Sequence, residues 1–189
     1  MSNKNFNDCS NAMLISAICT VVLLAVKITA YLLTHSQAIF ADMMESILHL
    51  GTVIITSISL WYASKPPDHE HRYGHGKVAY FAAGFEGILV LVTGGGTLYN
   101  NALSYYRGYT PHDLGIGLIL ISIVVAVNLA LGYFLVRTGK NRNNTLVTSH
   151  GYHVLSDMWT SAGVIISLIA TWLTGYAWLD AAVGALVAL

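Results

Sequence analysis

Long apolar runs alternate with short polar segments along the whole chain of 189 residues. A helix needs roughly 20 mostly apolar residues to cross a hydrocarbon core of about 30 Å. Five runs reach this length, and a sixth begins at Trp178 and continues to Leu189. The five are Ala12–Leu33, Ala38–Ala63, Val78–Tyr106, Leu114–Val136 and Leu146–Leu173. The pattern predicts an all-α, polytopic membrane protein, a bundle of six transmembrane helices of which the sixth is cut short.

The composition supports a membrane location and excludes some partners. Hydrophobic residues make up 55% of the chain and charged residues only 10%, whereas a soluble domain carries about 25% charged residues. Nine basic and nine acidic residues cancel, so the charge gives no reason to expect a nucleic-acid partner. The two cysteines, Cys9 and Cys19, lack the spacing of a metal motif.

Basic residues predict the orientation, because Lys and Arg gather on the cytoplasmic side of membrane proteins. With the N-terminus in the cytoplasm, Arg107 is the only basic residue of the outside loops. The cytoplasmic segments then contain Lys4, Lys65, Arg72, Lys77, Arg137, Lys140 and Arg142. We therefore expect a multi-pass protein of the cell (inner) membrane with a cytoplasmic N-terminus.

Two of the predicted spans carry ionisable residues at helical spacing. Asp42, Glu45 and His49 share one face of helix 2, and His153 and Asp157 share one face of helix 5. Each such group costs at least about 2.5 kcal/mol to insert, so each needs a reason to be there. Since the two helices run antiparallel, their polar faces can meet near the middle of the membrane.

The residues that can meet there are two imidazoles and two carboxylates, from Glu45, His49, His153 and Asp157, with Asp42 as a possible auxiliary group. This set is sufficient for tetrahedral Zn²⁺. Fe²⁺, Mn²⁺, Co²⁺ and Cd²⁺ are tolerable alternatives, since such ligands discriminate weakly, whereas Mg²⁺ and Ca²⁺ prefer oxygen ligands alone. The competing interpretation is a set of buried hydrogen bonds between helices with no metal.

Other polar residues suggest further roles. The loop between helices 2 and 3 contains Asp68, His71 and His75, which could form a hydrated metal site or simply a solvated loop. Lys27 either snorkels to the membrane surface or neutralises a carboxylate. Asp180, near the start of helix 6, is expected at the membrane interface.

Three segments carry a resemblance to a known family. The stretch Ser36–His49 (SQAIFADMMESILH), the stretch Tyr73–Lys77 (YGHGK) and the stretch His153–Asp157 (HVLSD) resemble motifs of the cation diffusion facilitator family of zinc/proton antiporters. They occur in the family's order and spacing along the whole chain.

The resemblance implies one transmembrane metal-transport domain over residues 1–189 and no enzymatic activity. It implies a transport site at Glu45, His49, His153 and Asp157, and a second, cytoplasmic site at Asp68, His71 and His75. The family usually has Asp or His at position 45 and Asp at position 49, whereas this chain has Glu and His. Family members usually continue into a cytoplasmic metal-binding domain that supports dimerisation, and we expect residues 1–189 not to include it. The resemblance also implies a homodimer.

The sequence thus predicts a secondary transporter that exports a divalent metal, most simply Zn²⁺, in exchange for protons. One alternative is a transporter of Fe²⁺, Mn²⁺ or Co²⁺ with the same fold. Another is a membrane sensor or scaffold with a structural metal site. An intramembrane metalloprotease is excluded, because no span contains the H-E-x-x-H motif.

Overall fold

A computed structural model describes residues 3–63, 75, 77–108 and 110–188, and the regular structure in these parts is entirely helical. The helices are α1 (Asn3–Thr34), α2 (Gln37–Ala63), α3 (Val78–Tyr106), α4 (Leu114–Asn141), α5 (Thr145–Thr174) and α6 (Ala177–Val187). The observed α4 continues past the predicted end at Val136 to Asn141, and Gly139 in this extension is buried.

The lengths of the helices confirm the predicted all-α membrane bundle. Four of the described helices contain stretches long and apolar enough to cross a membrane: Asn11–Thr34, Tyr80–Tyr106, Leu114–Asn141 and Thr145–Thr174. The remaining long helix, α2, has 27 residues. At 1.5 Å per residue its length is about 40 Å, which is also long enough to cross a membrane.

Helices α1, α2, α4 and α5 pack together, and α3 and α6 lie at one side of them. The α4–α5 pair has the most extensive interface, α1 packs on α4, and α2 contacts α1, α3, α5 and α6. Among the described helices, α3 touches only α2 and α6. Two sets of contacts therefore join the α1–α4–α5 group to the α3–α6 pair: those of α2 with both groups, and a direct contact between α5 and α6.

Glycines allow α4 and α5 to approach each other closely. A Cβ atom on Gly132 would lie 2.6 Å from Leu155 Cγ, and one on Gly151 would lie 2.7 Å from the backbone nitrogen of Val136. Small residues of this kind let membrane helices gain van der Waals contact and short backbone distances. The tight α4–α5 pair fixes the position of α5, which carries two of the predicted ligands.

The two ends of the bundle have different connections. The α1–α2, α3–α4 and α5–α6 connections lie at one end, called here the Asp180 end. The α4–α5 connection lies at the other, the Asn144 end, where the Asn144 side chain accepts a hydrogen bond from the backbone N–H of Val147 at 3.2 Å and caps α5.

Asp180 is buried inside the bundle beside the first turn of α2, and its position at the membrane interface stays a prediction. Its side chain is only 1% exposed. One carboxylate oxygen accepts a hydrogen bond from Ser36 Oγ at 2.6 Å, and the other accepts one from the backbone N–H of Gln37 at 2.5 Å. The first N–H groups of α2 have no partner within their helix. A negative charge from α6 satisfies them and complements the helix dipole.

We expect Asp180→Asn to destabilise the protein by about 1–3 kcal/mol, because a buried donor of α2 loses its charged acceptor. Asp113→Asn is the matched control. Asp113 lies at the same end of the bundle, is exposed and makes no side-chain cap hydrogen bond. Denaturant unfolding in detergent micelles measures the difference. Equal stability of the two variants would contradict a capping role for Asp180.

Candidate metal site

The polar faces of α2 and α5 lie against each other in antiparallel register. Near the Asp180 end, Asp42 of α2 accepts a hydrogen bond from Ser161 of α5 at 3.0 Å. Further toward the Asn144 end, the rings of His49 and His153 are 4.4 Å apart, centroid to centroid. His49 follows Asp42 by about two turns of α2, and His153 precedes Ser161 by about two turns of α5. The polar residues of both helices therefore face each other over the same length.

Three potential ligand atoms converge between these helices. One atom each from His49, His153 and Asp157 lies within 4.8 Å of the other two. Asp157 Oδ1 is 3.9 Å from His49 Nε2 and 4.0 Å from His153 Nε2. Ligand atoms around tetrahedral Zn²⁺ are about 3.4 Å apart, given bonds of about 2.0–2.1 Å. Small side-chain rotations are sufficient to close this group around an ion.

Glu45 lies beside this group without belonging to it. Its Oε1 atom is 3.7 Å from His49 Nε2, but Glu45 is not part of the converging set. Its other carboxylate oxygen, Oε2, is buried and has no hydrogen-bond partner. Glu45 could thus supply a fourth ligand, and the second oxygen donor, to an ion held by the other three residues.

Asp42 is engaged by an ion pair and does not point its oxygens to the converging group. Lys27 Nζ of α1 lies 2.9 Å from Asp42 Oδ1 and donates a hydrogen bond to Ser46 Oγ at 2.8 Å. The Lys27 and Asp42 side chains are 4% and 1% exposed. Of the two interpretations of Lys27, the structure therefore supports neutralisation of a carboxylate. Asp42 acts as a link between α1, α2 and, through Ser161, α5.

Sequence reasoning missed the hydroxyl groups around the site. Ser161 follows Asp157 by one helical turn, so the helical spacing that identified the ionisable residues also points to it. Ser16 of α1 hydrogen-bonds His150 Nε2 at 2.8 Å, a contact between distant parts of the chain that no local spacing indicates. The Ser16–His150 contact attaches α1 to α5, and the hydrogen bond of Ser161 to Asp42 attaches α5 to α2.

The loop cluster is only partly described. Asp68 and His71 lie outside the described residues, so a metal site there stays a prediction. His75 is described and is buried. Its ring stands at right angles to that of Tyr62, with centroids 4.8 Å apart.

Chemically, the converging group suits a divalent transition metal. Imidazole nitrogen and carboxylate oxygen are ligands of Zn²⁺ and its neighbours in the first transition series. Histidine must be deprotonated before it can coordinate, so binding of metal and binding of protons compete at such a group.

Comparison with known proteins identifies the family of the chain. The sequence profile of the cation efflux transmembrane domain matches residues 13–189. A transporter from Synechocystis is 32% identical over 160 residues, covering 83% of this chain and 51% of that protein. A cadmium, cobalt and zinc/H⁺–K⁺ antiporter from Bacillus velezensis is 25% identical over 190 residues, covering 99% and 60%. A cation-efflux pump from Shewanella oneidensis is 26% identical over 166 residues, covering 88% and 56%.

These matches extend along the chain and include the helices that carry the converging residues. The chain spans about half the length of the curated relatives that it matches. Members of the family are transporters and not enzymes, as the sequence predicted. Because the family profile covers nearly the whole sequence, the chain belongs to the cation efflux, or cation diffusion facilitator, family.

Proposed function

We propose that the protein exports a divalent transition metal, with Zn²⁺ as its preferred ion, from the cytoplasm in exchange for protons. The observation that carries the proposal is the convergence of His49, His153 and Asp157 between α2 and α5, with Glu45 adjacent. The name of the Bacillus relative, which includes zinc, cobalt and cadmium as well as protons, supports the same class of substrate and counter-ion.

The charges of the described residues suit a divalent cargo. The positive charge of Lys27 is compensated by Asp42 at 2.9 Å, which leaves the carboxylates of Glu45 and Asp157 as the negative groups of the site. Two carboxylates and one divalent cation give a neutral group, and neutrality lowers the cost of enclosing the ion within a membrane. Without the ion, protons that bind the imidazoles and carboxylates restore this balance.

The exchange of metal for protons follows from the competition between the two for the same ligands. Metal binds from the cytoplasm when the ligands are deprotonated, and protonation from the other side releases it. Alternating access then requires that the site open to one side at a time. Helix α2 contacts both the α1–α4–α5 group and the α3–α6 pair, so a movement between these two groups would change access to the ligands that it carries.

The orientation is part of the proposal. The α4–α5 connection is flanked by Arg137, Lys140 and Arg142, and an excess of basic residues marks the cytoplasmic side. We therefore assign the Asn144 end and the N-terminus to the cytoplasm, and the Asp180 end to the outside of the cell membrane. The homodimer implied by the family resemblance belongs to the same proposal, and cross-linking in native membranes tests it.

We expect His153→Ala and Asp157→Ala to abolish metal flux while the protein still inserts into the membrane. Loss of even an indirect support lowers metal affinity about 10–100-fold, and loss of a direct ligand lowers it at least as much. Zinc flux into sealed proteoliposomes measures the effect. His150→Gln, one turn away on α5 and able to keep its hydrogen bond to Ser16, is the control. Normal flux in either alanine variant would show that the ion takes another route, and zinc binding without flux in the parent protein would indicate a sensor or scaffold.

We expect zinc to bind more tightly than Fe²⁺ or Mn²⁺ at equal free concentration. The reason is that the affinity of nitrogen and oxygen ligands for divalent metals is lower at the Mn²⁺ and Fe²⁺ end of the first transition series than at Zn²⁺. Binding should weaken as the pH falls through the ordinary histidine range near 6.5, since protonated imidazole cannot coordinate. Competition titrations between about pH 5.5 and 7.5 measure both properties. A zinc affinity that does not change with pH, or a preference for Fe²⁺ or Mn²⁺, would contradict the proposal.

We expect the combined loop variant Asp68→Ala, His71→Ala, His75→Ala to change the rate of transport without abolishing it. A loop site in contact with water competes with hydration for the ion and holds it more weakly. Flux and zinc stoichiometry, measured on the same preparation, test this. Complete loss of flux, with the site between α2 and α5 still binding zinc, would mean that the loop is part of the path itself.

A further inference from the structure

A cavity of about 240 Å³ adjoins the candidate metal site between α2, α3 and α6. Glu45 and His49 line it on the α2 side, and Thr93 and Thr97 line it on the α3 side. Glu45 is the residue that stands apart from the converging group, and its unpartnered Oε2 atom is buried. Glu45 therefore borders the cavity beside His49, the one converging ligand that also lines it.

The polar side chains of α3 form a row that leads from this cavity toward the Asp180 end. Thr93, Thr97 and Asn101 are spaced by four residues and share one face of the helix. Among the α3 residues whose exposure the structure describes, only Thr97 and Asn101 are buried, each 3% exposed. Neighbours on other faces are apolar or aromatic and exposed, such as Val92 at 66% and Tyr99 at 70%. The two buried positions of a mostly lipid-facing helix are thus both polar.

Asn101 is the clearest sign that the row does more than hold helices together. Both its Nδ2 and Oδ1 atoms are buried without a hydrogen-bond partner. A buried amide that lacks partners is unfavourable, and an apolar side chain would pack there at lower cost. Asn101 also lines a second cavity, of about 520 Å³ between α3 and α6, whose other lining residues are mostly apolar. An amide in this position gains its partners when water or a hydrated ion enters.

We propose that Thr93, Thr97 and Asn101 line the outer half of the path by which the metal leaves. The ion passes from His49, His153 and Asp157 along Glu45 and then moves, with its returning hydration water, past the hydroxyl and amide groups of α3. Neutral oxygen ligands hold a divalent cation weakly and hydrogen-bond to its water, so they guide the ion without retaining it. This inference rests on the proposed function, because it assumes outward movement of metal.

Accessibility of single cysteines tests the route. In a background with Cys9→Ser and Cys19→Ser, we compare Thr97→Cys with Gly96→Cys. Gly96 is adjacent but exposed on another face, and a Cβ atom there meets nothing within 4 Å. A membrane-impermeant methanethiosulfonate added from outside should label Thr97→Cys, and Zn²⁺ should slow the labelling. Gly96→Cys, facing lipid, should stay unlabelled. Failure to label Thr97→Cys, or equal labelling of both, would overturn the route.

Flux and binding together separate a path from a packing role. We expect Thr97→Val and Asn101→Leu each to slow zinc flux about tenfold. The reason is that each variant loses one polar contact to the ion or its water at the highest energy barrier along the path. Equilibrium zinc affinity in detergent should stay at the parent value, the unfolding midpoint should not fall, and Gly96→Ala should keep normal flux. Unchanged flux in both variants, or slower flux accompanied by equally weakened binding or stability, would refute a role in the path. Absence of flux in the parent protein would instead refute the proposed function.

Discussion

The ion pair between Lys27 and Asp42 holds the helices of the site in place. A single charge in hydrocarbon is expensive, and a pair at 2.9 Å removes most of this cost. The pair joins α1 to α2, and the hydrogen bond of Ser161 to Asp42 extends the link to α5. If α2 rotated about its axis, Asp42 would leave Lys27 and His49 would leave Asp157 at the same time. This one electrostatic contact therefore helps to determine the rotation of α2 about its axis, and with it the direction in which the candidate ligands of α2 point.

The loose geometry of the converging group fits a cargo that must be released. Its ligand atoms lie up to 4.8 Å apart, farther than in a closed tetrahedral shell, where the separation is about 3.4 Å. A rigid, fully formed shell would bind tightly and release slowly. Here the firm contacts are formed by Lys27, Asp42 and Ser161, next to the ligands, while the ligands themselves keep room to move. Firm support and adjustable coordination are thus assigned to different residues of the same two helices.

The sequence predicted the features that depend on composition and helical spacing. The helices and the shared faces of α2 and α5 follow from periodicity alone, since residues three or four apart in a helix are neighbours. It left the partner of Lys27 undecided, did not reveal the buried contacts of Asp180 and overlooked Asn101. These residues depend on contacts between helices that are distant in the chain, such as Ser36 with Asp180. Periodicity shows which face of a helix is polar, but it does not show which neighbour that face meets.

The hydrogen bonds from Ser36 and Gln37 to Asp180 have a consequence for how the protein is made. Donors and acceptor are separated by 144 and 143 residues, so α2 enters the membrane long before α6 is synthesised. Until then the first N–H groups of α2 must be satisfied by water or lipid head groups, which keeps that end of the helix near the membrane surface. Arrival of α6 allows α2 to settle to its final depth. The helix that carries two of the candidate metal ligands therefore reaches its final position only late in biogenesis.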